Sequence, residues 1–249
     1  MNKPLVTVVI PAYNSEKYIK QAIDSVFCQD VELEVVVIND ASSDGTVQIL
    51  EEYKKRDNFI LLENKKNLGV AASRNLGVRR AQGEFIAFLD ADDWWEPTKL
   101  NKQLTAMQKA GTVLCSTARE LVDSNGVSTG KIIGVKEQIT YQMMHRQNWM
   151  NCSAVVIRTE VIKEFPMQYD DSHEDYITWM RILEKHQKAT GVNEPLLKYR
   201  VSNLGKSGPK WKSAQMMYRA YRYLGFGPIK SAFCFCAYAI NGVKKYYFN

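Results

Sequence analysis

Residues 5–10 (LVTVVI) form a continuous β-branched run with no polar alternation, the pattern of a strand covered on both faces of a sheet. The period then changes. Tyr18, Ile19, Ala22, Ile23 and Val26 recur at helical spacing behind Asn14 and Ser15, whose side-chain oxygens suit a helix start, with Glu16 in the first turn. The alternation repeats as a strand at 33–39 (LEVVVIN), a loop at 40–45, a helix at 46–55, a strand at 59–62 (FILL), a helix at 71–81 and a strand at 85–89 (FIAFL). Strands separated by helices need crossovers, which lay the strands parallel in one sheet with right-handed connections. The expected class is α/β, with a mostly parallel central sheet flanked by helices.

The second half is less regular. Leu100, Leu104 and Met107 behind Pro97 give a helix one apolar stripe, Val113 to Ser116 reads as a strand, and Asp123-Ser124-Asn125-Gly126 is a turn that predicts a hairpin. A helix is expected near 137–146, a strand at 153–157, a helix at 174–186 carrying Ile177, Met180, Arg181 and Leu183, a strand at 195–200, and helices from about 211. The change near 112 separates a first half, 1–112, from a second, 113–208, with 209–249 as a C-terminal helical tail.

Composition narrows the class. A chain of 249 residues with 45% hydrophobic and 24% charged content, seven Pro and 14 Gly fits an ordinary fold and excludes collagen-like and low-complexity classes. No apolar run approaches the about 18 residues that a membrane span needs, and the start, Met1 to Pro4 before the first strand, does not resemble a signal peptide, so a cytoplasmic protein is expected. Cys28, Cys115, Cys152, Cys234 and Cys236 show no paired C-x2-C spacing and read as free, mostly buried thiols. Charge is uneven. Residues 195–249 hold ten Lys/Arg and no Asp or Glu; taken from totals of 33 and 27, this leaves 23 basic against 27 acidic residues in 1–194. A basic tail on a mildly acidic body points to an anionic partner.

In an open parallel sheet the ligand lies beyond the carboxyl ends of the strands. Three such ends carry distinctive residues: Pro11-Ala12-Tyr13-Asn14, the run Asn39 to Thr46, and Asp90-Ala91-Asp92-Asp93. Ser43 and Asp44 suit turn and cap duty, whereas Asp40 stands where a carboxylate can accept from a nucleobase N–H. The three carboxylates at 90–93 repel one another. A divalent cation, Mg²⁺ or Mn²⁺ by its oxygen donors, would relieve them; a capped loop before Trp94 and Trp95 is the alternative. No G-x-G-x-x-G follows the first strand and no G-x4-G-K-[ST] is present, against a dinucleotide oxidoreductase and a P-loop ATPase. A second acidic cluster, Ser172-His173-Glu174-Asp175, precedes a helix with Tyr176 and Trp179. Capping and catalysis are both open to it.

The segments VTVVIPAYNSEKYIKQAIDSV, VVVINDASSDGT, NLGVAASRNLG, GEFIAFLDADDWWEP and HEDYITWMRI, spanning about residues 5–183, resemble the inverting family 2 glycosyltransferases of GT-A fold in order and spacing. The resemblance implies that Pro11, Tyr13 and Asp40 hold the uracil of a UDP-sugar with Arg74 beside the nucleotide. It places Asp90 near ribose or sugar hydroxyls and gives Asp92 the metal, Mn²⁺ or Mg²⁺, that bridges the diphosphate. Asp175 matches the Asp of the family's Glu-Asp motif and would be the general base. Glu174, with His173 and Trp179, would face the acceptor, His173 being either an alternative base or a helix-start residue. Tyr199-Arg200 and the loop Ser202 to Ser207 resemble the family's Tyr-Arg segment and active-site loop, which would bring Arg200 and Lys206 to the diphosphate. Ser202-Asn203-Leu204-Gly205-Lys206-Ser207 stands where many relatives have a His-Pro-Gly-Ser-like stretch. The implied reaction is one in-line displacement, a UDP-α-sugar giving a β-linkage.

From 211 the aromatic residues, among them Trp211, Tyr218, Phe233 and Tyr238, mix with the basic ones. This composition suits a membrane interface, a helix packed on the catalytic domain, or both on different faces. Nucleic acid is disfavoured by the acidic 1–194 region and by the absence of a recognised module. Within the family, the short chain, the D-A-D-D loop and Ser-His-Glu-Asp are similar to bacterial enzymes that add a hexose to an N-acetylaminosugar on undecaprenyl pyrophosphate in O-antigen or capsule assembly. The expected donor is UDP-glucose or UDP-galactose, and the expected location is the inner face of the cytoplasmic membrane. Two alternatives stand beside this: a sugar-nucleotide pyrophosphorylase, whose Gly-rich basic loop is replaced here by Pro11 to Asn14, and a non-catalytic nucleotide-sugar-binding protein on the same fold.

Overall fold

The computed structural model describes residues 4–201 and 210–247. The chain runs through β1 (Val6–Ala12), α1 (Ile19–Phe27), β2 (Leu33–Asn39), α2 (Thr46–Tyr53), β3 (Phe59–Glu63), α3 (Val70–Arg80) and β4 (Phe85–Phe88), and these four strands lie parallel in the order β3-β2-β1-β4. It continues with β5 (Trp94–Trp95), α4 (Lys99–Ala110), β6 (Leu114–Val122), β7 (Ser128–Ile133), β8 (Gln138–Thr140), α5 (Tyr141–Met144), β9 (Val155–Arg158), α6 (Thr159–Glu164), α7 (Glu174–His186), β10 (Lys188–Arg200), α8 (Lys210–Tyr223) and α9 (Pro228–Tyr247). The same sheet extends as β4-β9-β6-β10-β5. β9 runs antiparallel to both neighbours, and β6 and β10 are parallel to each other. The α/β sheet thus has a wholly parallel first half and a mixed second half.

Alternate residues of the central strands feed two cores. Val8, Ile10, Val35 and Val37 face α1 and α2 through Ile19, Ile23 and Leu50, while Val9, Val36, Ile38 and Phe88 face the side on which α3 and α7 supply Val78, Ile177 and Trp179. Both faces are covered, which is why these strands read as largely apolar runs without alternation, and the polar Thr7 and Glu34 within them are hydrogen-bonded to each other.

Several expected boundaries move, each for a visible reason. Asn14 and Ser15 do not cap α1, whose N-cap position is Tyr18 with no side-chain cap. Asn14 Oδ1 instead accepts from Ser43 N of the neighbouring loop at 2.8 Å, and the Ser15 hydroxyl donates to Tyr13 O at 3.1 Å while its backbone N–H donates to Thr46 Oγ1 at 2.8 Å. The helix expected near 137–146 is replaced by β8 and the four-residue α5, because residues 138–140 pair antiparallel with 188–190 of an extended β10. The Asp123–Gly126 turn joins β6 to β7 as a hairpin, with Asp123 Oδ1 accepting from Asn125 N and Val127 N. All five cysteines are free, with Cys28 and Cys236 exposed.

The tail packs on the body. Met217, Ala220, Tyr221, Phe226 and Cys234 join the α7-side core, and Tyr221 donates to His145 O at 3.0 Å. Among the described residues no helix is long and apolar enough to cross a membrane.

Gly77 shows how closely α3 lies on the sheet. A Cβ there would sit 2.4 Å from Val9 Cγ1 and 3.0 Å from Ile38 Cδ1. Helix propensity alone favours Gly77→Ala by about 1 kcal/mol. The clash instead makes this variant less stable by about 1–3 kcal/mol in urea unfolding, and Val9→Ala in the same chain recovers part of the loss. A Gly77→Ala protein as stable as wild type would contradict this packing.

Candidate active site

The carboxyl ends of β1, β2 and β4 open into one cavity of about 810 Å³, lined by Pro11 to Tyr18, Asp40, Arg74 and Asp90 to Asp92 on one side and by His173, Glu174 and Asp175 on the other. The two acidic clusters, some 80 residues apart in sequence, therefore share one space. Tyr13 is 51% exposed and offers a ring face at the rim.

Asp40 follows β2 and is buried. Its Oδ1 accepts from Asn64 Nδ2 at 2.7 Å and Leu68 N at 2.9 Å, and its Oδ2 from Gly69 N at 2.9 Å, so it ties the loop before α3 into the cavity wall. Oδ2 keeps acceptor capacity for a ligand donor. Asp170, which sequence reasoning missed, completes this wall: its Oδ1 accepts from Ala71 N at the start of α3, at 3.1 Å. Gly69 makes room for it, with φ +87° and a missing Cβ that would fall 2.4 Å from Asp170 Oδ2. No local signal marks a contact spanning 99 residues; adjacency to Ser172-His173 was the one available hint.

Arg74 is buried between the clusters. It donates through Nη2 to Asp90 at 2.5 Å and through Nη1 to Glu174 at 2.6 Å, where all three side chains are at least two-thirds covered. Burial works against its charge, but Asp90 and the other carboxylates around it outweigh that and hold it ionised. Arg74 lines the cavity, yet its guanidinium is already engaged by protein carboxylates. Glu174 is likewise buried against Arg74 while still lining the cavity.

Asp175 stands at the first turn of α7, with Oδ1 accepting from Tyr176 N at 2.7 Å. Burial, then the charge of Glu174, raises its carboxyl above the ordinary 3.8, partly opposed by His173 and Arg74. This strengthens it as a proton acceptor. His173 occupies the N-cap position of α7, and its Nε2 lies 3.2 Å from Ser213 O and 3.3 Å from Ser213 Oγ of α8.

The Asp90–Asp93 run does not act as one cluster. Asp93 turns inward, where its Oδ1 accepts from Arg200 N at 2.9 Å, and burial drives its carboxyl well above the usual range. Asp90 and Asp92 face the cavity. Burial, then the charge of Asp90, pushes Asp92 up to about 6. Two crowded carboxylates with oxygen-only donors fit a hard divalent cation whose remaining positions are filled by water and phosphate oxygens. Among the described residues no group of three or more His, Cys, Asp or Glu converges to cage an ion alone.

Two expected contacts are corrected. Trp179 is 0% exposed, does not line the cavity, and packs on Phe88 with ring centroids 6.1 Å apart, so it belongs to the core and not to the acceptor site. Arg200 is also buried outside the lining. It donates to Asp92 O, Asp123 O, Ser124 O and Gln21 Oε1 and stacks over Tyr18 and Trp94. It braces the 90–93 loop from behind, with four of its five N–H donors given to protein oxygens. Lys206 lies outside the described residues. The tail adds residues that the sequence pattern did not single out for the site: Ser213 and Met216 of α8 and Tyr238 and Gly242 of α9 line the same cavity.

Known proteins resemble this chain in sequence and in fold. A putative teichuronic acid biosynthesis glycosyltransferase, TuaG, of Bacillus subtilis is 37% identical over 98% of both chains. The Escherichia coli UDP-Glc:alpha-D-GlcNAc-diphosphoundecaprenol beta-1,3-glucosyltransferase WfaP is 30% identical over 98% of this chain and 96% of its own. Among solved structures, Staphylococcus aureus TarS 1-349 in complex with UDP-GlcNAc superposes with a TM-score of 0.73 at 21% identity, over 97% of this chain and 76% of that one. The mannosyltransferase PcManGT of Pyrobaculum calidifontis, in complex with GDP-Man and Mn²⁺, superposes with a TM-score of 0.73 at 21% identity, over 95% of this chain and 69% of that one. These two share the fold, GT-A. The family model for Glycosyl transferase family 2 matches residues 7–163, and with full-length relatives of this kind the chain belongs to glycosyl transferase family 2 and is a glycosyltransferase.

Proposed function

We propose that the protein is a metal-dependent inverting hexosyltransferase. It moves glucose or galactose from a UDP-sugar to an N-acetylaminosugar carried on undecaprenyl pyrophosphate, at the cytoplasmic face of the membrane, in O-antigen or capsular repeat assembly. The observation that carries the reading is the convergence of Asp175 with Asp90 and Asp92 on one cavity. The named donor and acceptor of the E. coli relative support UDP-glucose and a GlcNAc-diphosphoundecaprenol.

The roles follow from chemistry at each atom. Tyr13 and Pro11 flank the base, and Asp40 takes a base N–H on the free capacity of Oδ2. Asp175 removes the acceptor hydroxyl proton as that oxygen attacks C1, and UDP departs from the opposite face, so configuration inverts. Glu174, fixed by Arg74, orients the acceptor sugar. A divalent ion, Mn²⁺ or Mg²⁺, held by Asp92 with Asp90 beside it, would supply Lewis-acid stabilisation of charge developing on the leaving diphosphate.

The deciding experiment offers UDP-glucose and UDP-galactose in parallel with an N-acetylglucosaminyl-pyrophosphoryl-lipid acceptor. One hexose is transferred with Mn²⁺ and none with EDTA. Asp175→Asn lowers kcat by about 10²–10⁴-fold while UDP still binds, and Asp92→Ala abolishes the response to metal. Turnover unaffected by Asp175→Asn would remove the general-base assignment, and UDP binding without transfer to any acceptor would favour a binding protein.

Asp175 must be ionised to accept a proton, and its carboxyl is raised from 3.8. Activity therefore rises with pH along an acid limb displaced above the position of an ordinary carboxylate, as kcat/KM measured across the acid range checks.

Arg74 joins carboxylates from the two sides of the reaction. Arg74→Met leaves both uncompensated and destabilises the protein by about 3–5 kcal/mol in urea unfolding. Adding Glu174→Gln to Arg74→Met removes one stranded charge and restores part of that stability without restoring transfer.

A further inference from the structure

α9 is apolar on two opposite sides, and the body covers only one of them. Ser231 and Cys234 are buried, and Tyr238 and Gly242 line the catalytic cavity. At about 100° per residue these four share one side of the helix. Ile229, Phe233, Cys236 and Ile240 fall within an arc of about 60° on the other side by the same periodicity. That second stripe is in water: Ile229 is 87%, Phe233 71% and Ile240 59% exposed, and Cys236 is exposed as well. A helix apolar on both sides needs a cover for each.

We infer that the Ile229–Phe233–Cys236–Ile240 face of α9 docks the protein on an anionic lipid bilayer, with the helix lying in the plane of the interface. Charge selects the occupant. Residues 210–247 carry seven Lys/Arg and no Asp or Glu, and α9 itself contributes Lys230, Lys244 and Lys245. A protein partner matched to the stripe alone would need no such excess, whereas acidic headgroups around a shallowly buried apolar face do. No described helix can cross the membrane, which leaves the surface-lying mode.

The placement also has a use, and here the inference rests on the lipid-linked acceptor proposed above. The stripe and the cavity wall are opposite sides of one helix, about 10 Å in diameter. Docking α9 therefore holds the cavity wall about one helix width from the headgroups, the level at which a sugar on a lipid pyrophosphate stands.

The test is flotation of the full chain with phosphatidylcholine vesicles and with vesicles containing phosphatidylglycerol, in the absence of donor and acceptor. Wild type floats with the anionic vesicles, and Ile229→Ser/Phe233→Ser lowers the bound fraction about tenfold or more, given the apolar area removed. The double variant keeps wild-type thermal unfolding, UDP binding and transfer to a short water-soluble acceptor analogue, which separates lost docking from lost folding. The inference is overturned if wild type stays in the aqueous fraction, or if the double variant floats as well as wild type. It also fails if light scattering shows a dimer that the double variant dissociates while vesicle binding persists, since the stripe is then an interface between two copies. If flotation behaves as expected but neither protein transfers a hexose, the enzymatic proposal falls and the docking surface stands.

Discussion

A guanidinium keeps its charge even when shut away from water, and burying it is costly unless carboxylates answer it; Arg74 is answered from both halves of the molecule. Asp90 comes from the end of β4 and Glu174 from the start of α7. The carboxylates are costly to bury without the cation, and the cation is costly to bury without them. The separation of the two acidic clusters is consequently fixed by an interaction too costly to break casually. Around it, Asn75 exchanges hydrogen bonds with the Met167 backbone at 2.7 and 2.9 Å, and Asp170 binds the first turn of α3, so the 167–175 segment is held to α3 along its length.

The parallel half was legible because its information is local. An apolar run such as LEVVVIN has only one economical place, between two helix layers, and β2 begins and ends where the run does. The second half depends on pairing between distant segments. Gln138-Ile139-Thr140 has no strand signal strong enough to outweigh its helical neighbours, and becomes a strand because residues 188–190 present an edge to it. The two-residue β5 exists for the same reason.

The site divides along similar lines. The acidic residues were legible as candidates, since crowded carboxylates at strand and helix ends repel one another, with capping as the other reading. Which of them face the cavity was not. Asp93 sits beside Asp92 in sequence but is turned inward to accept a backbone N–H of β10. Trp179 and Arg200 carried the residue types of a sugar platform and a diphosphate clamp, and burial decided against both. Nothing in a sequence states the direction of a side chain whose partners lie 80 or 180 residues away. The cavity wall built by Ser213, Met216, Tyr238 and Gly242 was hidden for another reason: those residues are chemically ordinary and matter only because the tail folds back.

The position of β9 governs how the chain can assemble. It is the strand that joins the two halves of the sheet, pairing with β4 on one side and β6 on the other. Both strands it pairs with precede it in sequence, while β10 of the second half follows it. During synthesis, β3-β2-β1-β4 can gather as a local α/β unit, but the inner edge of β4 stays unpaired until residues 155–158 have left the ribosome. An open, apolar strand edge is a template for unwanted pairing. Between residue 88 and residue 158 that edge of β4 is therefore open on the nascent chain, and three residues, Val156, Ile157 and Arg158, close it.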